Sequence, residues 1–346
     1  MRQRLFLAFF LLATAASAQV PDSVQLLVDS ALNVMEHRGF NSHKLDWPAI
    51  RGRVQQMTAG ARTHRDAFPA LAWAFDQLGD KHGWITVNDS SHHNQGVTRT
   101  KRSWSAGLDT ALRKGPRLYN GVVAGRYAYI SIHFFGRQTE ADMNRYARQI
   151  SDSLCKNIGP GTRGIIIDLR LNGGGNSHPM NQGLAAVYGN RVLSEGVNGR
   201  GERIGVFAIR GGRVTVHGNH GDSIVLAAPR GCGDLSRLPV AVLISPVTGS
   251  SAEQLAINFT SRPRTVLIGE RTSGYVTANN GFLLPGTDNA LVLAESLTRN
   301  VHGTLFSEEV RPDIEVTGGD DLFDRSKDLK IKAAVRWLDR QQRVRK

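Results

Sequence analysis

With 346 residues, 40% of them hydrophobic, the chain is long enough for one large domain or two modest ones around a sizeable core. It carries 43 Lys and Arg against 30 Asp and Glu, a formal charge of +13, but the cations are scattered singly, as at Arg51, Arg53, Arg62, Arg65, Arg200 and Arg213. No dense basic tract interleaves with aromatics, which speaks against nucleic-acid binding, whereas attraction to anionic surfaces or acidic peptides stays compatible with the charge.

The first predicted element is a leader. Met1-Arg2-Gln3-Arg4 precedes an apolar run from Leu5 to Leu12, and Ala16-Ser17-Ala18 follows before Gln19. A basic start, an apolar stretch too short to span a bilayer and a small-x-small site read as a signal peptide over residues 1–18. Cleavage after Ala18 removes two arginines and leaves 41 basic residues against 30 acidic, a net of +11. No cysteine follows the site and no later run is long enough for a membrane helix, so the expectation is a periplasmic or secreted protein with no integral membrane segment.

Residues 19–83 repeat apolar side chains at helical spacing: Val24, Leu27, Ala31, Leu32 and Met35, then Ile50, Val54 and Met57, then Leu71, Ala74, Phe75 and Leu78. Gly39, Pro48, Gly60 and Pro69 interrupt them, which predicts three or four short helices forming a small N-terminal cap. The cap ends in Leu78-Gly79-Asp80-Lys81-His82-Gly83, a helix stopping at glycine and turning into a short strand. A histidine at such a corner can point into a cleft, although a surface loop position is the commoner fate.

Residues 84–125 form a polar, glycine-punctuated connecting segment. His92-His93 within it is discounted as a metal site, because adjacent side chains on an extended chain point apart and no second ligand pair follows. Order resumes with a strand at Arg126 to Phe135 and an amphipathic helix from Thr139 to Lys156. The strand Gly164-Ile165-Ile166-Ile167-Asp168 then runs into Gly173-Gly174-Gly175, followed by a helix from Met180 to Tyr188. After an excursion of short strands over residues 190–236 comes Val240-Ala241-Val242-Leu243-Ile244, an apolar run suited to a strand buried on both faces. Another core strand follows at Thr265 to Gly269, then a hairpin around Pro285-Gly286, and a last amphipathic helix closes residues 321–346. Strand, helix, strand, glycine loop, helix, strand, helix, strand is a βαβ-like order. It predicts an α/β core over residues 126–320 with a parallel-rich sheet. Cys155 and Cys232 could form one disulfide in an oxidising compartment or remain buried thiols.

Three stretches carry chemistry. Thr248-Gly249-Ser250-Ser251-Ala252-Glu253 follows a buried strand and starts a helix, with Ser250 or Gly249 at the N-cap and Glu253 in capping-box position. A serine there faces backbone N–H groups and the positive end of the helix dipole, which suit an alkoxide or an oxyanion; the ordinary alternative is a plain N-cap serine. Gly173-Gly174-Gly175 exposes backbone N–H groups with no side chain in the way, and it fits neither phosphate-loop nor dinucleotide spacing. With His82 these make an acyl-transfer site: Ser250 as nucleophile, His82 as general base, and N–H groups of Gly173, Gly174 and Ser251 as the oxyanion hole. No metal or cofactor is called for.

Five segments together resemble a known family: Leu78-Gly79-Asp80-Lys81-His82, Asp168 through Gly175, Thr248 through Glu253, Ile268-Gly269-Glu270-Arg271-Thr272-Ser273-Gly274, and Arg311-Pro312-Asp313-Ile314-Glu315-Val316. In this order they are similar to the tail-specific, C-terminal processing serine peptidases and the tricorn protease core. The resemblance covers roughly residues 22 to 320. It implies a crotonase/ClpP-like α/β core with a helical cap, and it selects Ser250 over Ser251 as nucleophile. Two positions depart from the pattern. Tyr275 stands where related peptidases place a lysine base, which leaves the histidine base of the tricorn-like branch, here His82. Lys81 stands where that branch has a supporting serine. The resemblance implies a glutamate partner for His82 shortly before Pro312, at Glu308 beside Glu309, with Glu295 and Asp80 as rivals. Tyr275 is expected to pack rather than to react. Residues 83 to 125 are too few for the PDZ domain of many members, a module of roughly a hundred residues.

The reading that follows is an exported serine endopeptidase acting on protein or peptide substrates. Its alternative is an inactive protein of the same fold that binds peptides or apolar ligands. A third possibility, an acyl-thioester enzyme, fits poorly with export.

Overall fold

The structure, a computed structural model, describes residues 20–94, 104–218, 226–229 and 231–343; the predicted leader lies outside them. The N-terminal part consists of α1 (Asp22–Arg38), a short 3-10 turn (Ser42–Lys44), α2 (Trp47–Thr58) and α3 (His64–Gln77). Asp46 accepts the Ala49 N–H at the start of α2, and Thr63 with Asp66 forms a capping box at the start of α3. Val24, Leu27, Val28, Ala31, Leu32 and Met35 lie on the inward stripe of α1 and pack with Leu71 and Phe75 of α3. The hairpin β1 (Trp84–Val87) and β2 (Ser90–His92) adds Ile85 and Val87 to the same core. On β2, His92 Nε2 meets Asp76 Oδ1 at 2.8 Å.

Next come α4 (Ala106–Arg113), β3 (Asn120–Val123), β4 (Tyr127–Ser131), α5 (Glu140–Cys155) and β5 (Gly164–Asp168). They are followed by α6 (Ser177–Gly183), α7 (Ala185–Tyr188) and the meander β6 (Arg191–Val197), β7 (Arg203–Arg210) and β8 (Arg213–Gly218). The chain then forms β9 (Val240–Ile244), α8 (Ser251–Thr260), β10 (Thr265–Gly269), β11 (Ala278–Leu283), β12 (Ala290–Asn300), β13 (Leu305–Phe306), β14 (Ile314–Glu315) and α9 (Leu329–Arg343).

One sheet runs β14-β10-β9-β5-β4-β3, parallel throughout except for the antiparallel edge strand β3. Alternation along its strands sends Ile165, Ile167, Val240, Val242 and Ile244 to the side covered by α5, α6 and α8. Ile166, Ala241, Leu243 and Ile268 face the other side, where Ile331, Ala334 and Leu338 of α9 cover them. Both faces are therefore buried, which accounts for the unbroken apolar runs. The second sheet runs β2-β1-β12-β6-β7-β8, with β11 and β13 also on β12. Its long strand β12 contributes Leu291 and Leu293 to the helical cap's core and Leu297 to that of the parallel sheet.

Cys155, ending α5, is bonded to Cys232 across 77 residues of sequence, with Cα atoms 5.4 Å apart. On the loop-entropy account a bridge of that span contributes about 4 kcal/mol. Reduction, or Cys155→Ser with Cys232→Ser, should therefore lower the thermal midpoint by several degrees. An unchanged melt with and without dithiothreitol would show that the bridge contributes nothing.

Candidate active site

The loops that follow β5, β9 and β10 leave the same end of the parallel sheet. The first two are bonded together: Ser245 Oγ donates to Arg170 O at 2.7 Å, Thr248 Oγ1 to Leu169 O at 2.9 Å, and Gly249 N–H to Asn172 O at 3.0 Å. Ser250 stands between β9 and α8 with φ 52° and ψ −120°. This is a sparsely populated conformation for a residue with a Cβ, and it costs on the order of 1–3 kcal/mol. A side chain on Gly174 would meet Ser250 Cβ at 2.7 Å and Gly249 O at 3.0 Å, so only glycine lets that loop lie against the serine. The Ser251 hydroxyl donates to Gly175 O at 2.6 Å and ties the glycine loop to the start of α8.

Glu253 holds the serine's backbone from below. Its fully buried carboxylate accepts the Ser250 N–H at 2.8 Å, the Tyr275 N–H at 2.7 Å, the Gly274 N–H at 2.8 Å and the Thr272 hydroxyl. A buried carboxylate filled by donors in this way is a rigid joint between α8 and the 272–277 segment. That segment reaches the histidine on its other flank. Tyr275 meets the His82 ring edge-on with centroids 5.0 Å apart, and Thr277 Oγ1 lies 2.9 Å from His82 Nδ1, with Thr277 O at 3.1 Å. Asp80 sets the histidine's main chain, accepting the His82 and Gly83 N–H groups at 2.8 Å through Oδ1 and the Ala294 N–H at 2.7 Å through Oδ2. A cavity of about 180 Å³ opens beside His82, with Phe40, Leu78, Val276, Leu293 and Leu297 among its walls.

Beneath the loops lies a buried charge cluster. Arg170 bonds Asp168 at 2.7 Å, Asp320 at 2.7 Å and Asp328 at 2.6 Å, and Lys330 bonds Asp320 and Glu270 at 2.7 Å. Burial pushes the Asp168 carboxyl up, but the charge and hydrogen bonds of Arg170 outweigh it and hold the group below its ordinary value. On α6, burial holds the His178 imidazole down to about 4, so it is neutral near pH 7.

Residues 126–316, more than half of the chain, match the sequence pattern described as peptidase family S41. The chain belongs to that family. It is 26% identical over 300 residues to the nisin-resistance protein of Lactococcus lactis subsp. lactis, covering 86% of this chain and 84% of that one. A lipoprotein from Streptococcus agalactiae superposes with a TM-score of 0.67 at 19% identity, covering 97% of this chain and all of the other. The photosystem II D1 C-terminal processing protease does so with 0.55 at 14% identity, over 86% and 94% of the two chains. The S41 peptidase fold expected from the motifs is thus the fold observed.

In this S41 chain the sequence-derived residues Ser250, Ser251, Gly173, Gly174, Tyr275 and His82 gather around the 272–277 segment and the glycine loop. Two assigned roles take a different form. Gly174 N–H donates to Asn172 Oδ1 at 2.9 Å, so Gly174 supplies close approach while its donor is engaged. Gly173 is exposed, and Ser251 opens α8, where first-turn N–H groups have no intrahelical acceptor. Glu308 is exposed, and the side chain at His82 Nδ1 is that of Thr277. Neighbouring Glu309 pairs with Arg271 at 3.1 Å. Of the rivals, Glu295 is engaged by Arg38 at 2.6 Å, and Asp80 acts on the histidine's backbone rather than its ring. Thr277 was missed because nothing local marks it: it meets His82 across 195 residues of sequence.

Proposed function

We propose that the protein is an exported serine endopeptidase using Ser250 as nucleophile and His82 as general base. The observation that carries the reading is the backbone of Ser250. Its strained φ, its position after a buried strand and before a helix, and the glycine loop against it serve a reacting hydroxyl better than they serve a cap. Thr277 Oγ1 accepts the His82 Nδ1 proton, which leaves Nε2 with the lone pair. His82 Nε2 takes the Ser250 proton as Oγ bonds to the substrate's carbonyl carbon, and the oxyanion is met by the Gly173 and Ser251 N–H groups. Collapse breaks the C–N bond, the imidazolium returns its proton to the departing amine, and water then releases the acyl group by the same base. The cavity beside His82 suits an apolar substrate side chain. Nisin belongs in the substrate panel because a relative bears its name.

The test is labelling with a fluorophosphonate probe, with the adduct mapped by mass spectrometry, in the native protein and in Ser250→Ala and His82→Ala. Labelling at Ser250 that is lost in both variants is the expected result. A folded native protein that takes no label overturns the peptidase reading in favour of an inactive, peptide-binding member. A subsidiary expectation concerns Thr277. Thr277→Val should lower kcat about tenfold, the worth of one neutral hydrogen bond, with KM little changed, and Thr277→Ser should restore it. Equal kcat in all three would remove Thr277 from the mechanism.

A further inference from the structure

The end of the parallel sheet opposite Ser250 carries an array of arginines. Register pairs Tyr127 with Gly164, Ile165 with Val240 and Val240 with Thr265, so β4, β5, β9 and β10 all begin at one level. Arginine directly precedes three of these starts, as Arg126, Arg163 and Arg264, and Arg237 lies three residues before the fourth, β9. With strands about 4.8 Å apart, the four starts span roughly 15 Å. The last turns of α9 close on the same end, where Gln342 donates to Arg163 O at 2.7 Å and Arg264 donates to Gln341 O at 3.3 Å and to Arg237 O at 2.8 Å. Those last turns of α9 also carry Arg340 and Arg343, both exposed. Asp339 pairs with Arg126 at 2.7 Å, and Asp234 lies on the loop before β9. The array keeps an excess of positive charge on a rigid platform.

We infer that this arginine-bearing end of the sheet docks on a bilayer surface rich in anionic phospholipid headgroups. The partner is argued from form and charge. The cations form a broad end face set by strand starts and a helix end, which suits a planar anionic surface. Guanidinium groups match phosphate in both charge and geometry. A five-residue strand is about 17 Å long, so docking leaves the Ser250 loops facing away from the membrane. The inference is independent of the chemistry at Ser250.

The test is co-sedimentation of the purified protein with vesicles of phosphatidylglycerol and phosphatidylcholine, and of phosphatidylcholine alone, at about 0.1 M salt. The expected result is binding only to the anionic vesicles, weakened about 100-fold in the triple variant Arg163→Gln, Arg237→Gln, Arg340→Gln. A control triple variant, Arg53→Gln, Arg148→Gln, Arg200→Gln, removes the same charge elsewhere and should bind nearly as the native protein does. Circular dichroism verifies that both variants fold. Equal loss in both variants would reduce the effect to net charge and overturn the docking face. Binding to heparin with no binding to anionic vesicles would overturn the membrane partner.

Discussion

Ser250→Ala is expected to fold normally while losing fluorophosphonate labelling and at least about 10⁴-fold in peptide hydrolysis, since a nucleophile's removal leaves only substrate binding and oxyanion contacts. The same site makes a stability prediction that an ordinary cap residue would not make. At φ 52° and ψ −120° the backbone of Ser250 is held in place by Glu253 and the glycine loop, at a cost that glycine would not incur. Ser250→Gly should therefore be inactive yet more stable, by about 1 kcal/mol, in urea titration. If Ser250→Gly were destabilised and Ser250→Ala retained labelling, the serine would be a cap and the nucleophile would lie elsewhere.

The largest loss of stability is expected at Arg170. Its fully buried guanidinium contacts Asp168, Asp320 and Asp328; Asp320 keeps Lys330, but Arg170→Met leaves Asp168 and Asp328 buried without their cation and should cost about 3–5 kcal/mol. The pH dependence separates this from a packing defect. In the native protein the Asp168 pKa is lowered, so its stabilising contribution is present above the unfolded value of 3.8 and is lost as pH falls through the folded one. In Arg170→Met, burial without the arginine raises that pKa, so protonation at lower pH relieves the variant. The gap between native and variant midpoints should therefore narrow from pH 7 to pH 4. A constant gap would mean that the arginine acts through its volume alone. The cluster joins β5 to the 320–330 segment beneath the glycine loop, so a weakened cluster should also reduce activity in the surviving folded fraction.

Much of this architecture could be read directly from the chain. The runs Gly164 to Asp168 and Val240 to Ile244 are apolar at every position or nearly so, because both faces of a central parallel strand are covered, and no other element needs that pattern. The edge strand β3, Asn-Gly-Val-Val with alternating exposure, has too little apolar content to announce itself, and its pairing with β4 alone makes it a strand. The stretch from Met180 to Tyr188 reads as one helix but divides into α6 and α7 at Leu184.

The site divides along the same line. Ser250, the glycine loop and Glu253 lie within short segments whose local conformation a strand, a turn and a helix start prescribe, so sequence alone determined them as a unit of fold and candidate chemistry. The hydroxyl at His82 Nδ1 and the grip of Glu253 on Tyr275 were decided by the tertiary structure alone. Each joins atoms whose separation depends on how loops from different strands settle against one another. Periodicity and capping report a residue's neighbours along the chain, whereas a hydrogen bond between distant loops depends on shifts of a few tenths of an ångström that no local pattern encodes.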